Sequence, residues 1–158
     1  MARSVLETAG RGLRSGSAMP GGRRRWLVLA LVRLVVVAGL AIDSYVHFDL
    51  AGLYSEAGGV INEGVLFRAE AIVALAVAIL VAVTGRRVSY AAAFIVAASA
   101  LTVLLVARYA DIGAIGPFPD MYDPVWFGEK ALAAVGEAVA GLAALAGYAL
   151  VRARRRTR

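Results

Sequence analysis

Four apolar runs divide the chain, at 26–46, 65–84, 88–107 and 127–151. Each is near the ~20 residues that a helix rising ~1.5 Å per residue needs to cross ~30 Å of hydrocarbon. Lipid offers no partner for a backbone N–H or C=O, so runs of this length are predicted to be helices. The alternation of apolar and polar positions that marks a barrel strand is absent. The expected fold is all-α: a transmembrane four-helix up-and-down bundle over residues 26–151. Residues 1–25, rich in Gly, Ser and Arg, have no apolar period and are expected to form a disordered basic arm, with a short basic tail at 152–158.

Polar residues between the runs set an expected orientation. The turn at 85–87 is short and carries Arg86 and Arg87, whereas the connections at 47–64 and 108–126 are longer and hold Asp49, Glu56, Glu63, Asp111, Asp120 and Asp123. Of 17 basic residues, 13 lie in the arm, in that turn or in the tail, each beside an apolar run. Basic segments stay in the cytoplasm, so both termini are expected inside, in the cell membrane, and the two acidic connections outside. The rival for the first run is a cleaved signal peptide, with Arg23 to Arg25 as its charged start and Gly39-Leu40-Ala41 as a cleavage site. Its length and the interruption by Arg33 argue against this, and cleavage would break the in–out alternation.

Composition narrows the chemistry. Of 158 residues 61% are apolar, and the net charge is +6. Because the basic residues flank the spans, this charge reads as topology and lipid contact, not as a nucleic-acid surface. The chain has no cysteine, which removes disulfides and thiolate sites, and its one histidine rules out a bis-histidine haem. No cofactor is called for.

Charges inside the runs carry the candidate chemistry, since each costs roughly 3 kcal/mol at the centre of a bilayer unless it faces protein or water. Helical spacing groups Arg33, Leu40, Ser44 and His47 on the first span, with Asp43 one turn before His47. It groups Glu63, Glu70, Val77 and Thr84 on the second, near Arg68, and Ser99, Thr102 and Tyr109 on the third, near Arg108. On the fourth, Lys130, Glu137, Ala144 and Tyr148 form one stripe. Each stripe is expected to face the bundle interior. Glu137 lies ten residues past Phe127, or about 15 Å into the span.

Two readings of these groups are open. One is an ion-pair network that fixes helix register, with Glu137 or Glu70 bound to Lys130, Arg68 or Arg108, or a protonated Glu making one interhelical hydrogen bond. The other is a polar pocket, open to the outer face, for an ion, a proton or a small polar ligand. Weak metal candidates are His47, Asp43 and Asp49, completed by Glu63 or Glu129. Arg33 is expected to snorkel to the cytoplasmic headgroups, the alternative being a carboxylate partner on another span.

The stretch 115–127 holds three prolines and a Tyr, Trp and Phe, so it is shaped. It is expected either to cover the bundle mouth or to anchor the fourth span at the interface. Gly136, Ala140, Ala144 and Gly147 allow close helix approach, within the bundle or in a homo-oligomer.

Val46-His47-Phe48-Asp49-Leu50, together with the run from Asp120-Met121-Tyr122-Asp123-Pro124 to Val125-Trp126-Phe127-Gly128-Glu129-Lys130, resembles a group of small four-span integral membrane proteins of actinobacteria. The resemblance covers roughly 26–151 and implies no activity. The plan is also similar to DoxX-like four-helix membrane proteins, by span count and size alone, and this transfers no residues. Three functions follow as expectations. The first is a non-enzymatic accessory or scaffold subunit, with lipid and a membrane complex as partners. The second is a small transporter or proton-coupled carrier lined by Glu137, Glu70, Lys130 and Arg108. The third is an outer-face redox or metal-dependent accessory using His47, Asp43 and Asp49.

Overall fold

The computed structural model describes residues 20–55 and 61–156. Its helices are α1 (Pro20–Ala51), α2 (Glu63–Thr84), α3 (Arg87–Tyr109) and α4 (Gly128–Arg156), with one 3-10 turn at Leu53–Ser55. All four helices are long and apolar enough to cross a membrane. Among the described residues there is no β-strand, only one antiparallel bridge between Ile115 and Phe118. The expected all-α bundle is observed.

Local chemistry sets the helix ends. Pro20 suits a first helical turn, where no N–H is needed, and α1 begins there, six residues before the apolar run. The first 19 residues of the expected arm lie outside the described residues. At its other end α1 continues past residue 46 to Ala51, which puts His47 on the helix. Asn62 caps α2, its side chain accepting from the Val65 N–H at 2.9 Å, and Glu63 adds negative charge at the positive end of the helix. Gly85 ends α2 at φ 53°, the left-handed region glycine enters without penalty, and its N–H reaches Val81 O at 3.0 Å.

The helices pack in a ring. α1 lies against α2 and α4, α3 lies against α4, and α2 meets α3 less extensively. The start of α1, the α2–α3 turn and the end of α4 share one end, joined by Arg25 to Leu150 O and by Arg87 to Tyr148. The Arg87 guanidinium also lies 4.5 Å from the Tyr148 ring centre. We call this the arginine end and the opposite one the loop end.

Inside and outside are inverted relative to a water-soluble bundle. The buried positions are mostly small, including Ala71, Ala74, Ala78, Ala93, Ala97, Ala140 and Ala144, around Val36, Leu40, Val81 and Tyr90. The exposed positions include Leu31, Leu34, Ile72, Ile79, Ile95, Val135 and Leu142. An apolar belt of this extent fits lipid contact. Because lipid tails are as apolar as Leu, association then depends on close van der Waals packing and interhelical hydrogen bonds. Gly39 shows how close: a Cβ added there would lie 2.8 Å from both Ala140 Cβ and Gly136 O. At Gly147 an added Cβ would meet the Tyr90 ring. The small-residue stripe of α4 is therefore used inside the bundle, against α1 and α3.

Two expectations are corrected. Thr102 and Tyr109 do not face the interior; both are exposed, whereas Ser99, also exposed, lines the cavity between α2 and α3. Ser99 and Thr102 donate to carbonyls of their own helix, at Ile95, Val96 and Ala98, so their hydroxyls are satisfied without a neighbouring helix. Arg33 does not snorkel freely. Its Nε donates to Val81 O at 2.8 Å, the carbonyl that Gly85 also uses, so its positive charge sits at the negative end of α2.

Candidate functional site

The polar groups of the loop half converge on α1. Asp43 and His47 are four residues apart, so they share a face one turn apart. The imidazole Nδ1 lies 2.8 Å from Asp43 Oδ1 and 3.0 Å from the Asp43 carbonyl oxygen. The Phe67 ring stands nearly perpendicular to the imidazole, with centres 5.3 Å apart, which restricts its rotation. Close approach of α1 and α4 at Gly39 and Gly136 places Glu137 beside this pair. One donor atom from each of Asp43, His47 and Glu137 lies within 4.8 Å of the others. Asp43 and Glu137 are 0% and 1% exposed, and apart from the imidazole beside Asp43 Oδ1 their carboxylate oxygens have no partner outside the cluster. Glu70, on α2, has one buried oxygen in the same condition. Ser44, next to Asp43, is spent on Ala71 O at 2.8 Å.

The cations expected to pair with these carboxylates are held elsewhere. Lys130 Nζ lies 2.6 Å from Asp123 Oδ2 and 2.9 Å from Asp123 O, in the connection ahead of α4. Arg68 donates to Ser55 Oγ at 2.9 Å, and the Arg108 guanidinium lies over the rings of Tyr109 and Trp126. The Glu137–Lys130 stripe thus splits: its two members face one helix but serve different partners. A lysine near a helix start reaches back to the preceding loop more easily than two turns down, and the Asp123 carboxylate was there to meet it.

Beside the cluster a cavity of about 540 Å³ opens between α2 and α3. The two helices leave the tight turn at the arginine end together and have room between them at the loop end. Leu66, Val73, Val103 and Leu104 contribute apolar wall, and His47, Glu63, Glu70 and Lys130 contribute polar points. Phe118, Met121, Asp123 and Phe127 line it from the proline-rich connection, so that segment covers the cavity mouth. The connection is well tied down. Ile115 and Phe118 exchange two backbone hydrogen bonds across Gly116, which has φ 59°. Asp120 and Asp123 accept from the N–H groups two residues ahead, and the Asp123 N–H reaches Ala107 O at 2.9 Å.

At the same mouth, Tyr54 donates to Asp123 Oδ2 at 3.1 Å. Burial and the facing Asp123 carboxylate push the phenol up to about 12. Burial alone would raise the Asp123 carboxyl. Hydrogen bonds from Lys130, Val125 and Tyr54 outweigh it and hold the group below the usual Asp range.

Of the residues singled out in the sequence, Asp43, His47 and Glu137 come together, with Glu70 across the adjoining cavity. Asp49 is exposed and stands apart from the cluster. Tyr54, Ser55 and Phe67 were not singled out; the sequence placed Tyr54 and Ser55 in a connection, which the longer α1 and the 3-10 turn bring to the site, and Phe67 in the second apolar run, where nothing marked it off from its neighbours. No protein-family profile, no curated protein and no solved structure matches the chain.

Proposed function

We propose that the protein is a multi-pass membrane protein that binds an amphipathic cation in the loop-end cavity, as a small carrier or receptor. Both termini face the cytoplasm in this reading, following the arginine-rich flanks, and the cavity opens toward the outer face. One observation carries it: Glu70 offers a buried, unpartnered carboxylate oxygen to a roomy space whose other walls are largely apolar. An apolar body between α2 and α3 with a positive group at Glu70 matches both features, and an anionic ligand, or a neutral one without an N–H or O–H donor, leaves the carboxylate unmatched.

The accessory or scaffold role has less behind it. The small residues that favoured self-association, Gly136, Ala140, Ala144 and Gly147, are all buried within the bundle.

The test is tetraphenylphosphonium binding to purified protein in detergent, with the Glu70→Gln variant beside it. Saturable binding that weakens by about tenfold or more, the equivalent of ~1.4 kcal/mol, supports the reading. Absence of binding, or equal binding by the variant, removes it. Flux into vesicles separates carrier from receptor, and a reporter fused after Arg158 tests the orientation.

A further inference from the structure

Asp43 and Glu137 pose a charge problem that the lipophilic-cation reading leaves untouched. Two carboxylates are shut away from solvent at the α1–α4 contact, the His47 imidazole beside Asp43 Oδ1 is the one basic group in the cluster, and no other side chain serves Asp43 Oδ2 or Glu137 from outside it. Lys130, Arg68 and Arg33 are engaged with Asp123, Ser55 and Val81. Two carboxylates this close together need protons or a cation between them, and one divalent cation would balance both when ionised beside a neutral imidazole.

The donor set agrees with the charge. One imidazole nitrogen and two carboxylate oxygens are the mixed N/O ligands of zinc and its first-row neighbours, and calcium or magnesium would ask for oxygen alone. The donor atoms lie within 4.8 Å of one another, so a shift of under an ångström or so at each side chain brings them around one ion. The backbone is rigid where it matters. Asp43 and His47 are fixed by the helical turn, Phe67 stands edge-on to the imidazole, and Gly39 and Gly136 hold α4 against α1.

We propose that Asp43, His47 and Glu137 bind one divalent transition-metal ion of the zinc class, on three protein ligands with coordination left over for water or a small ligand. Three protein ligands are the number found in exchanging and catalytic zinc sites, and four in closed structural ones. His47 also lines the cavity, which gives the ion a way in from the loop end. The proposal shares that cavity for access but does not depend on what else binds there.

The experiment uses full-length protein in detergent, stripped with a chelator and titrated with zinc alone, then with cobalt for its visible spectrum. One ion per chain is expected. Asp43→Asn and Glu137→Gln each lower the affinity by more than the roughly 10–100-fold that loss of an outer-shell partner costs. Asp49→Asn, exposed and apart from the cluster, binds zinc as the parent does. Because the chain has a single histidine, the ¹⁵N resonances of the imidazole report the site in unmutated protein, whether or not a variant folds. They are expected to shift on zinc addition with the same midpoint. No bound ion, an unmoved imidazole, or unchanged affinity in folded Asp43→Asn and Glu137→Gln overturns the proposal. Zinc binding without tetraphenylphosphonium binding leaves the metal site standing and removes the cavity reading; the opposite pair of results does the reverse.

Discussion

Gly39→Ala tests whether the α1–α4 contact that builds the cluster is as tight as the structure has it. The added methyl would lie 2.8 Å from Ala140 Cβ and 2.8 Å from Gly136 O. Carbon atoms in good contact stand ~3.5–4.0 Å apart, so the two helices must part by about 1 Å. Rotation cannot relieve both contacts, because one is to backbone. Overpacking of this kind costs about 1–3 kcal/mol. At roughly 2–4 °C per kcal/mol for a chain of this length, a cost of about 2 kcal/mol lowers the melting temperature by roughly 4–8 °C. The control is the same substitution at Gly141, where the new Cβ meets only Ala97 Cβ at an ordinary 3.7 Å. That variant is expected to match the parent or gain up to about 1 kcal/mol from a stiffer unfolded chain. Asp43 follows Gly39 by one turn and Glu137 directly follows Gly136, so Gly39→Ala should also weaken zinc binding while Gly141→Ala leaves it alone. Thermal unfolding of purified protein in one detergent, beside a zinc titration, reads both effects. Equal stability of the two variants would refute the close packing on which the cluster rests.

Other outcomes follow from the two ends of the bundle. Arg33→Met removes a charged hydrogen bond to Val81 O at 2.8 Å and is expected to cost about 1.5–3 kcal/mol by thermal unfolding. A loss under about 0.5 kcal/mol, the usual range of an ordinary surface substitution, would show that Arg33 does not cap α2. At the loop end, the Asp123 carboxyl sits below its ordinary value of 3.8, so its contribution is complete above that pH and drains away as pH falls below it. Asp123→Asn should flatten the melting temperature over that acid range, and an unchanged acid limb would remove Asp123 from the mouth network. Tyr54 has the opposite sign. Its phenol is raised to about 12, so its share of stability is intact below its ordinary value of 10 and is lost as pH climbs from there. Tyr54→Phe should remove one high-pH tyrosinate transition from the absorbance titration, and an unchanged titration would assign that transition elsewhere.

How much of this was legible beforehand depended on the range of the interaction. Hydrophobic run length is a local property, and lipid makes it decisive, since an unpaired backbone group has no remedy there. The four helices therefore followed from the sequence, as did the tight turn at Gly85, where one glycine ends α2. The shared face of Asp43 and His47 also followed, because four residues along a helix is a fixed geometry. Partner choice was a different matter. Nothing in the spacing of Lys130 and Glu137 told that the lysine would turn back to Asp123, because that required the path of a proline-rich connection in space. Nor did the arginine pattern disclose that Arg33 would find a backbone carbonyl of α2. Thr102 looked like an interior residue because periodicity cannot distinguish a hydroxyl aimed at a neighbour from one satisfied by its own helix. The meeting of Glu137 with Asp43 and His47 was settled by the crossing of α1 and α4, whose closeness comes from two glycines that carry no chemical signal of their own.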